Sequence, residues 1–168
     1  MKSQVEIKLR YWTKADFNTV KEILLTTWKD TYSFIPEEDI LSHFEKFYNK
    51  QSLIEILEDP FSKGIIAEFE SKPVGWMKLF EDKINKRFYI SSLYILPDYQ
   101  GFGIGKKLLN EAYLIAMQKE YDRIWLGVMT KNVKAVDWYK NIGFVFVEED
   151  PFQMGKTEVM HLIGYKII

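Results

Sequence analysis

Leu93-Tyr94-Ile95-Leu96-Pro97-Asp98-Tyr99-Gln100-Gly101-Phe102-Gly103-Ile104-Gly105-Lys106-Lys107-Leu108-Leu109 is the stretch that decides the reading of this chain. An apolar run suited to a strand stops at Pro97. Gly101, Gly103 and Gly105 follow at alternate positions, and an amphipathic segment starts at Ile104. That order puts unpaired backbone N–H groups at the start of a helix. Together with the positive end of the helix dipole they attract an anion, phosphate above all. Glycine lets the backbone approach such a ligand with no Cβ in the way. A flexible glycine-rich turn is the plainer reading of the same residues.

Working outward, Val5 to Tyr11 alternates apolar and polar residues and reads as a strand. Thr13-x-x-Asp16 resembles a capping box and predicts a helix to about Trp28. Pro36 suits the first turn of a second helix ending near Asn49, with Glu37, Glu38 and Asp39 at its positive end. Ser52-x-x-Glu55 predicts a short third helix, stopped by Asp59-Pro60. Gly64 to Phe69 and Pro73 to Phe80, joined by a polar turn, predict a hairpin. Arg87 to Ile95 predicts a further strand.

Beyond the glycine loop, Ile104 to Glu120 predicts a helix, with Ile104, Leu108, Ala112, Ile115 and Ala116 on one face. Arg123 to Met129 predicts a strand and Asn132 to Asn141 a short helix. Gly143 to Val147 and Glu158 to Ile168 complete the set as strands. The order implies one α/β (α+β) domain over residues 1–168, a mixed sheet of about seven strands flanked by helices. The strands on either side of the glycine-loop helix should run parallel with a right-handed crossover. Ligands commonly sit at such a βα turn.

Composition narrows the classes. The chain has 168 residues, enough for one sizeable core and too few for two ordinary ones. Formal net charge is −1, with Lys and Glu interspersed, which argues against a general nucleic-acid binder. There is no cysteine, which removes disulfides, thiolate metal sites and a thiol nucleophile, and fits a cytoplasmic protein. Met1-Lys2-Ser3-Gln4 is too polar for a signal peptide, and no apolar run approaches a membrane span. His43 and His161 stand isolated, so no metal site is expected from them.

The glycine stretch fails two well-known phosphate motifs. A Walker loop wants Gly where Gln100 stands and Ser or Thr where Lys107 stands, and a dinucleotide fingerprint wants Gly where the chain continues into Lys106-Lys107. Gln100-x-x-Gly103-x-Gly105 instead resembles the Gln/Arg-x-x-Gly-x-Gly/Ala signature of the GNAT acetyltransferases. A second cluster, Asn132, Ala135, Tyr139 and Gly143-Phe144, resembles that family's later pattern in the expected order. Ile124 to Val128, Lys131-Asn132, Trp138-Tyr139-Lys140 and Met154-Gly155 are similar to the PaiA-type spermidine/spermine N-acetyltransferases within it.

The resemblance implies acetyl transfer from acetyl-CoA to a primary amine, a polyamine being the leading acceptor. It places the pyrophosphate on the amides of Gly101, Phe102, Gly103, Ile104, Gly105 and Lys106, beside Gln100. It pairs the pantetheine with the main chain of Leu93, Tyr94 and Ile95, and brings Asn132 and Ala135 to the same arm. Tyr139 becomes the proton donor to the leaving sulfur, and Lys140 approaches the adenosine phosphates or simply lies on a solvated helix face. Many relatives carry Glu where this chain has Ser91, which leaves no evident base, though Ser91 can hold a water. Trp28, Asp30, Tyr32, Glu37, Glu38, Asp39, Phe152 and Met154 are the acceptor-site candidates; each equally suits ordinary packing or a helix start. A peptide N-terminal acetyltransferase and a non-catalytic acyl-CoA-binding module are the alternatives. A homodimer is compatible with the family, and neither nucleic acid nor membrane is an expected partner.

Overall fold

The computed structural model describes residues 5–168; residues 1–4, on which the signal-peptide reading partly rests, lie outside the described residues. Seven strands form one sheet in the order β1-β2-β3-β4-β5-β7-β6. They are β1 (Ile7–Tyr11), β2 (Ser62–Phe69), β3 (Lys72–Asp82), β4 (Arg87–Ile95), β5 (Arg123–Met129), β6 (Val145–Met154) and β7 (Thr157–Ile167). All neighbours are antiparallel except β4 and β5, which run parallel as a strand–helix–strand unit requires. The helices are α1 (Phe17–Thr31), α2 (Glu37–Phe47), α3 (Lys50–Glu58), α4 (Ile104–Gln118) and α5 (Val133–Asn141). No described helix is long and apolar enough to cross a membrane.

Two buried clusters lie around the sheet. One joins α4 and α5 to Met77, Leu79, Phe88, Ile90, Ile124 and Leu126. The other joins α1, α2 and α3 to Trp12, Ile66 and Trp76. Successive strand residues face opposite sides, so β2 through β7 each serve both clusters, while β1 gives Ile7 and Leu9 to the first. β4 changes this parity midway. Lys78 pairs with Ser92 and Leu79 with Ile90, which makes Ser91 the extra residue of a β-bulge. Leu93 and Ile95 therefore pack with the α4 side, and Tyr94 with the α1 side.

The bulge coincides with a split in the sheet. Phe88, Tyr89 and Ile90 pair with Ile124, Trp125 and Leu126, and there the β4–β5 ladder ends. β4 stays bound to β3, and β5 to β7, along their remaining lengths. Residues 91–95 thus present one strand edge with no strand beside it, and a cleft opens between β4 and β5.

Several boundaries differ from those the sequence suggested. α1 continues to Thr31, three residues past Trp28. α2 begins at Glu37, with Pro36 as its cap rather than in its first turn, and ends at Phe47. α3 starts before Ser52: Asn49 caps it by accepting from the Ser52 backbone N–H at 2.9 Å. Asn49, not Ser52, sits where its side chain reaches the free amides at the helix start. β6 reaches Met154 instead of stopping at Val147. Its acidic run and Pro151 lie on the sheet's outermost strand, where a missing donor is tolerated.

Candidate active site

The cleft between β4 and β5 has a volume of about 1740 Å³ and runs from the glycine loop to the space beneath α1, α2 and α3. At its α4 end, Gly101 and Gly103 both have φ of +84°, a left-handed conformation that disfavours any side chain. A Cβ at either would meet nothing within 4 Å, so the turn, not crowding, demands glycine there. Gly103 caps α4 with no side-chain bond, and the first turn carries no acidic residue. Its leading amides therefore stay free for an anion. Gly105 answers to a different need: a Cβ there would lie 3.1 Å from Trp138 and 3.3 Å from Ile95.

Gln100 braces this corner. Its amide donates to the Ile95 carbonyl at 3.1 Å, and its side-chain oxygen accepts from Lys134 Nζ at 3.3 Å. Lys134 and Lys106 are the cations lining this end. Lys140, expected nearby, is exposed and lies outside the cleft lining, one helical turn or more from Lys134. Phe102 also turns away. It is 53% exposed and packs edge-on against Phe69 at 5.1 Å, leaving its backbone alone to serve a ligand.

Asn132 caps α5, its Oδ1 accepting from Ala135 N–H at 3.3 Å. Its amide hydrogens remain available to the cleft, which Asn132 and Ala135 both line. Tyr139, about two helical turns further on, is buried against Phe144 and Trp138 and borders the cleft. Burial pushes its phenol pKa well up, so it stays protonated through the neutral range.

The far end is aromatic. Trp28 packs against Tyr48, Tyr94 and His43, with ring centroids 5.4, 6.0 and 5.7 Å away. Tyr32 and Tyr94 bring their hydroxyls to 3.4 Å. Burial raises the pKa of Tyr32, Tyr48 and Tyr94 alike. The Trp28 indole N–H is buried without a geometrically sound partner. Ser91 lines the cleft and donates its hydroxyl to the Lys78 carbonyl at 3.2 Å.

Of the acidic candidates, Asp30 lines the cleft, while Glu37, Glu38 and Asp39 do not. Asp39 instead accepts from Lys156 N–H at 2.9 Å and Thr157 Oγ1 at 2.6 Å, tying α2 to the β6–β7 turn. These bonds hold its carboxyl below the usual range. Phe152 and Met154 do border the cleft.

The sequence reading missed Glu55, Asp59, Lys78, Lys134, Trp138 and Tyr48 as lining residues. It also missed that His43 and His161 flank Phe152, with ring centroids 5.5 and 5.6 Å from it. Desolvation, then Lys46, lowers the His43 pKa. These residues arrive from α2, α3, β3, α5 and β7, and apart from Lys134 and Trp138, which lie beside the Asn132–Tyr139 cluster, no local signal marks them.

A free strand edge leading to bare amides at a helix start defines a protein that binds an extended arm ending in phosphate. The residues fit coenzyme A: amides and two lysines for phosphates, a strand edge for the amide-bearing pantetheine. The chain belongs to the acetyltransferase (GNAT) family, whose model matches residues 17–144. The PaiA N-acetyltransferase of Thermoplasma acidophilum, solved with coenzyme A, superposes with a TM-score of 0.81 at 26% identity, covering 97% of this chain and 99% of that one. An uncharacterized N-acetyltransferase of Mycobacterium bovis is 28% identical over 121 residues, 72% of this chain and 77% of its own. The thialysine N-epsilon-acetyltransferase of Sus scrofa is 30% identical over 97 residues, 51% of this chain and 57% of its own. This chain is accordingly an acetyl-CoA-dependent N-acetyltransferase.

Proposed function

We propose that the acetyl group goes to a primary amine of a small cationic acceptor, a polyamine such as spermidine or spermine in first place. The observation that carries this reading is the lining of the cleft beneath α1, α2 and α3. Aromatic Trp28, Tyr32, Tyr48 and Phe152 stand there with the carboxylates Asp30, Glu55 and Asp59, against a single lysine among the described residues, Lys78. Aromatic faces and excess negative charge attract an alkylammonium.

Acetyl-CoA, when bound, supplies the activated acyl carbon. The amides of residues 101–106 and the side chains of Lys106 and Lys134 hold its phosphates. The open edge of β4 at Leu93, Tyr94 and Ile95 orders the arm and offers N–H donors to a carbonyl oxygen. One well-placed donor of this kind contributes about 3 kcal/mol. Holding acceptor and donor in one cleft makes the encounter effectively unimolecular. Asn132 fixes the arm from the β5 side.

Tyr139 donates the proton that the departing sulfur needs; its raised pKa keeps that proton in place until then. The acceptor ammonium must first lose a proton, which costs roughly 4–5 kcal/mol at pH 7 for a pKa near 10.4. Ser91 is too weak a base to take it. His43, held neutral by burial, is a lining group able to do so through water.

The test is CoA release from acetyl-CoA with spermidine, beside a peptide with a free N-terminus and a blank without acceptor. Saturable turnover with spermidine supports the reading. Turnover with the peptide alone replaces the polyamine by a protein acceptor and keeps the rest.

A further inference from the structure

Lys78 stands apart from the machinery above. It lies on β3 opposite Ser92, and its side chain shares the α1-side face with Trp76 and lines the acceptor end of the cleft. Ser52, Glu55, Ile56, Asp59, Ser62 and Phe80 border the same recess. Among the described residues Lys78 makes no ion pair, and Asp59 acts on it only at longer range. Tyr94, whose main chain would meet the acyl carbonyl, is one strand over and two residues along, roughly 8 Å away between Cα atoms on ordinary strand spacings. A half-buried primary amine therefore lines the same cleft that the acyl donor would enter.

We propose that Lys78 is itself an acetyl acceptor, modified in cis by the enzyme's own acetyl-CoA when no external amine fills the cleft. The proposal rests on the placement of the thioester along the open edge of β4. In the step, neutral Nζ forms a bond to the acetyl carbon and the carbon–sulfur bond breaks. The proton lost by nitrogen ends on the CoA sulfur, so acetyl-CoA and lysine give free CoA and acetyl-lysine. Burial supports this chemistry, because desolvation lowers the Lys78 pKa and enlarges the neutral fraction, against a smaller opposing effect of Asp59.

The modification also changes what the cleft prefers. Lys78 is the one lysine or arginine lining the acceptor recess among the described residues, and its charge repels a cationic acceptor. Acetylation removes that charge and leaves Asp30, Glu55 and Asp59 unopposed. The enzyme would tune its own acceptor site by the reaction it performs.

The experiment incubates the full chain with isotopically labelled acetyl-CoA and no acceptor, then follows label at each lysine by peptide mass spectrometry. Label should enter Lys78 at least tenfold faster than exposed Lys46 or Lys140, at a rate per molecule independent of protein concentration. Spermidine should slow it. Label at Lys78 no faster than at Lys140, or a rate rising with protein concentration, overturns the proposal. Spermidine turnover measured in parallel separates the two readings. Turnover with an unlabelled Lys78 removes this proposal alone, whereas loss of both removes the placement of the thioester as well.

Discussion

Replacing Tyr139 with Phe tests the chemistry with little disturbance to the fold. The ring sits 5.5 Å from Phe144 and 5.0 Å from Trp138, and Phe fills the same space. Only the hydroxyl at the cleft wall is lost, so stability should change by less than about 1.5 kcal/mol, as for a volume-conserving core change. The rate should respond far more. Without a proton donor the sulfur leaves as a thiolate, and a positioned general acid is worth on the order of 10²–10⁴-fold. Most of that should appear in kcat, because the phenol acts on the leaving group rather than on binding. A thiol-reactive dye reads the CoA released, and the absence of cysteine removes protein background. The raised phenol pKa adds a second signature: the wild type should show no loss of rate from Tyr139 ionisation up to about pH 10. A Y139F enzyme with kcat within twofold of the parent, at intact stability, would refute the proton-donor role.

Other perturbations separate the parts of the molecule. Lys134→Ala should raise the KM for acetyl-CoA severalfold and leave the acceptor KM unchanged in initial-rate assays, because Lys134 reaches only the phosphate end. Gly64→Ala should destabilise by about 1–3 kcal/mol in urea melts, since its new Cβ would lie 2.4 Å from Trp76 and 2.5 Å from Trp12. Asp39 has a folded pKa below its unfolded one, so its stabilisation is complete above the unfolded pKa and is lost as pH falls through the folded value. Melting temperatures of wild type and Asp39→Asn should therefore differ at neutral pH and converge in acid; a constant gap down to the most acid pH would contradict this.

The parts of the fold that local chemistry specifies were legible in the sequence. β4 and β5 occupy the predicted spans, because each is an apolar run bounded by breakers. The glycine loop and α4 follow from left-handed turns that few other residues accept. β6 was not legible beyond Val147, since Glu148-Glu149-Asp150-Pro151 reads as a turn when alone. It becomes strand only through pairing with β7, where Asp150 faces His161 and Pro151 faces Met160. The Ser91 bulge was hidden for the same reason: an extra residue is defined only against its partner strand. The site divides likewise. Its phosphate half is largely the contiguous run from Gln100 to Lys106, joined by Lys134 from α5, whereas its acceptor half is assembled from α1, α2, α3, β3 and the β6–β7 hairpin. Acidity near Pro36 pointed to Glu37, Glu38 and Asp39, none of which lines the cleft, and Asp39 is committed to Lys156 and Thr157.

The short β4–β5 ladder makes this a sheet with a missing rung, held together across the gap by only a few residues. An arm paired with the open edge as proposed would complete the ladder, and coenzyme A would then act as a removable strand as well as a carrier. Folding and cofactor supply are then linked by mass action, with about 2.7 kcal/mol added at a hundredfold excess over Kd. The melting temperature of this protein should in consequence report how much of its cofactor is at hand.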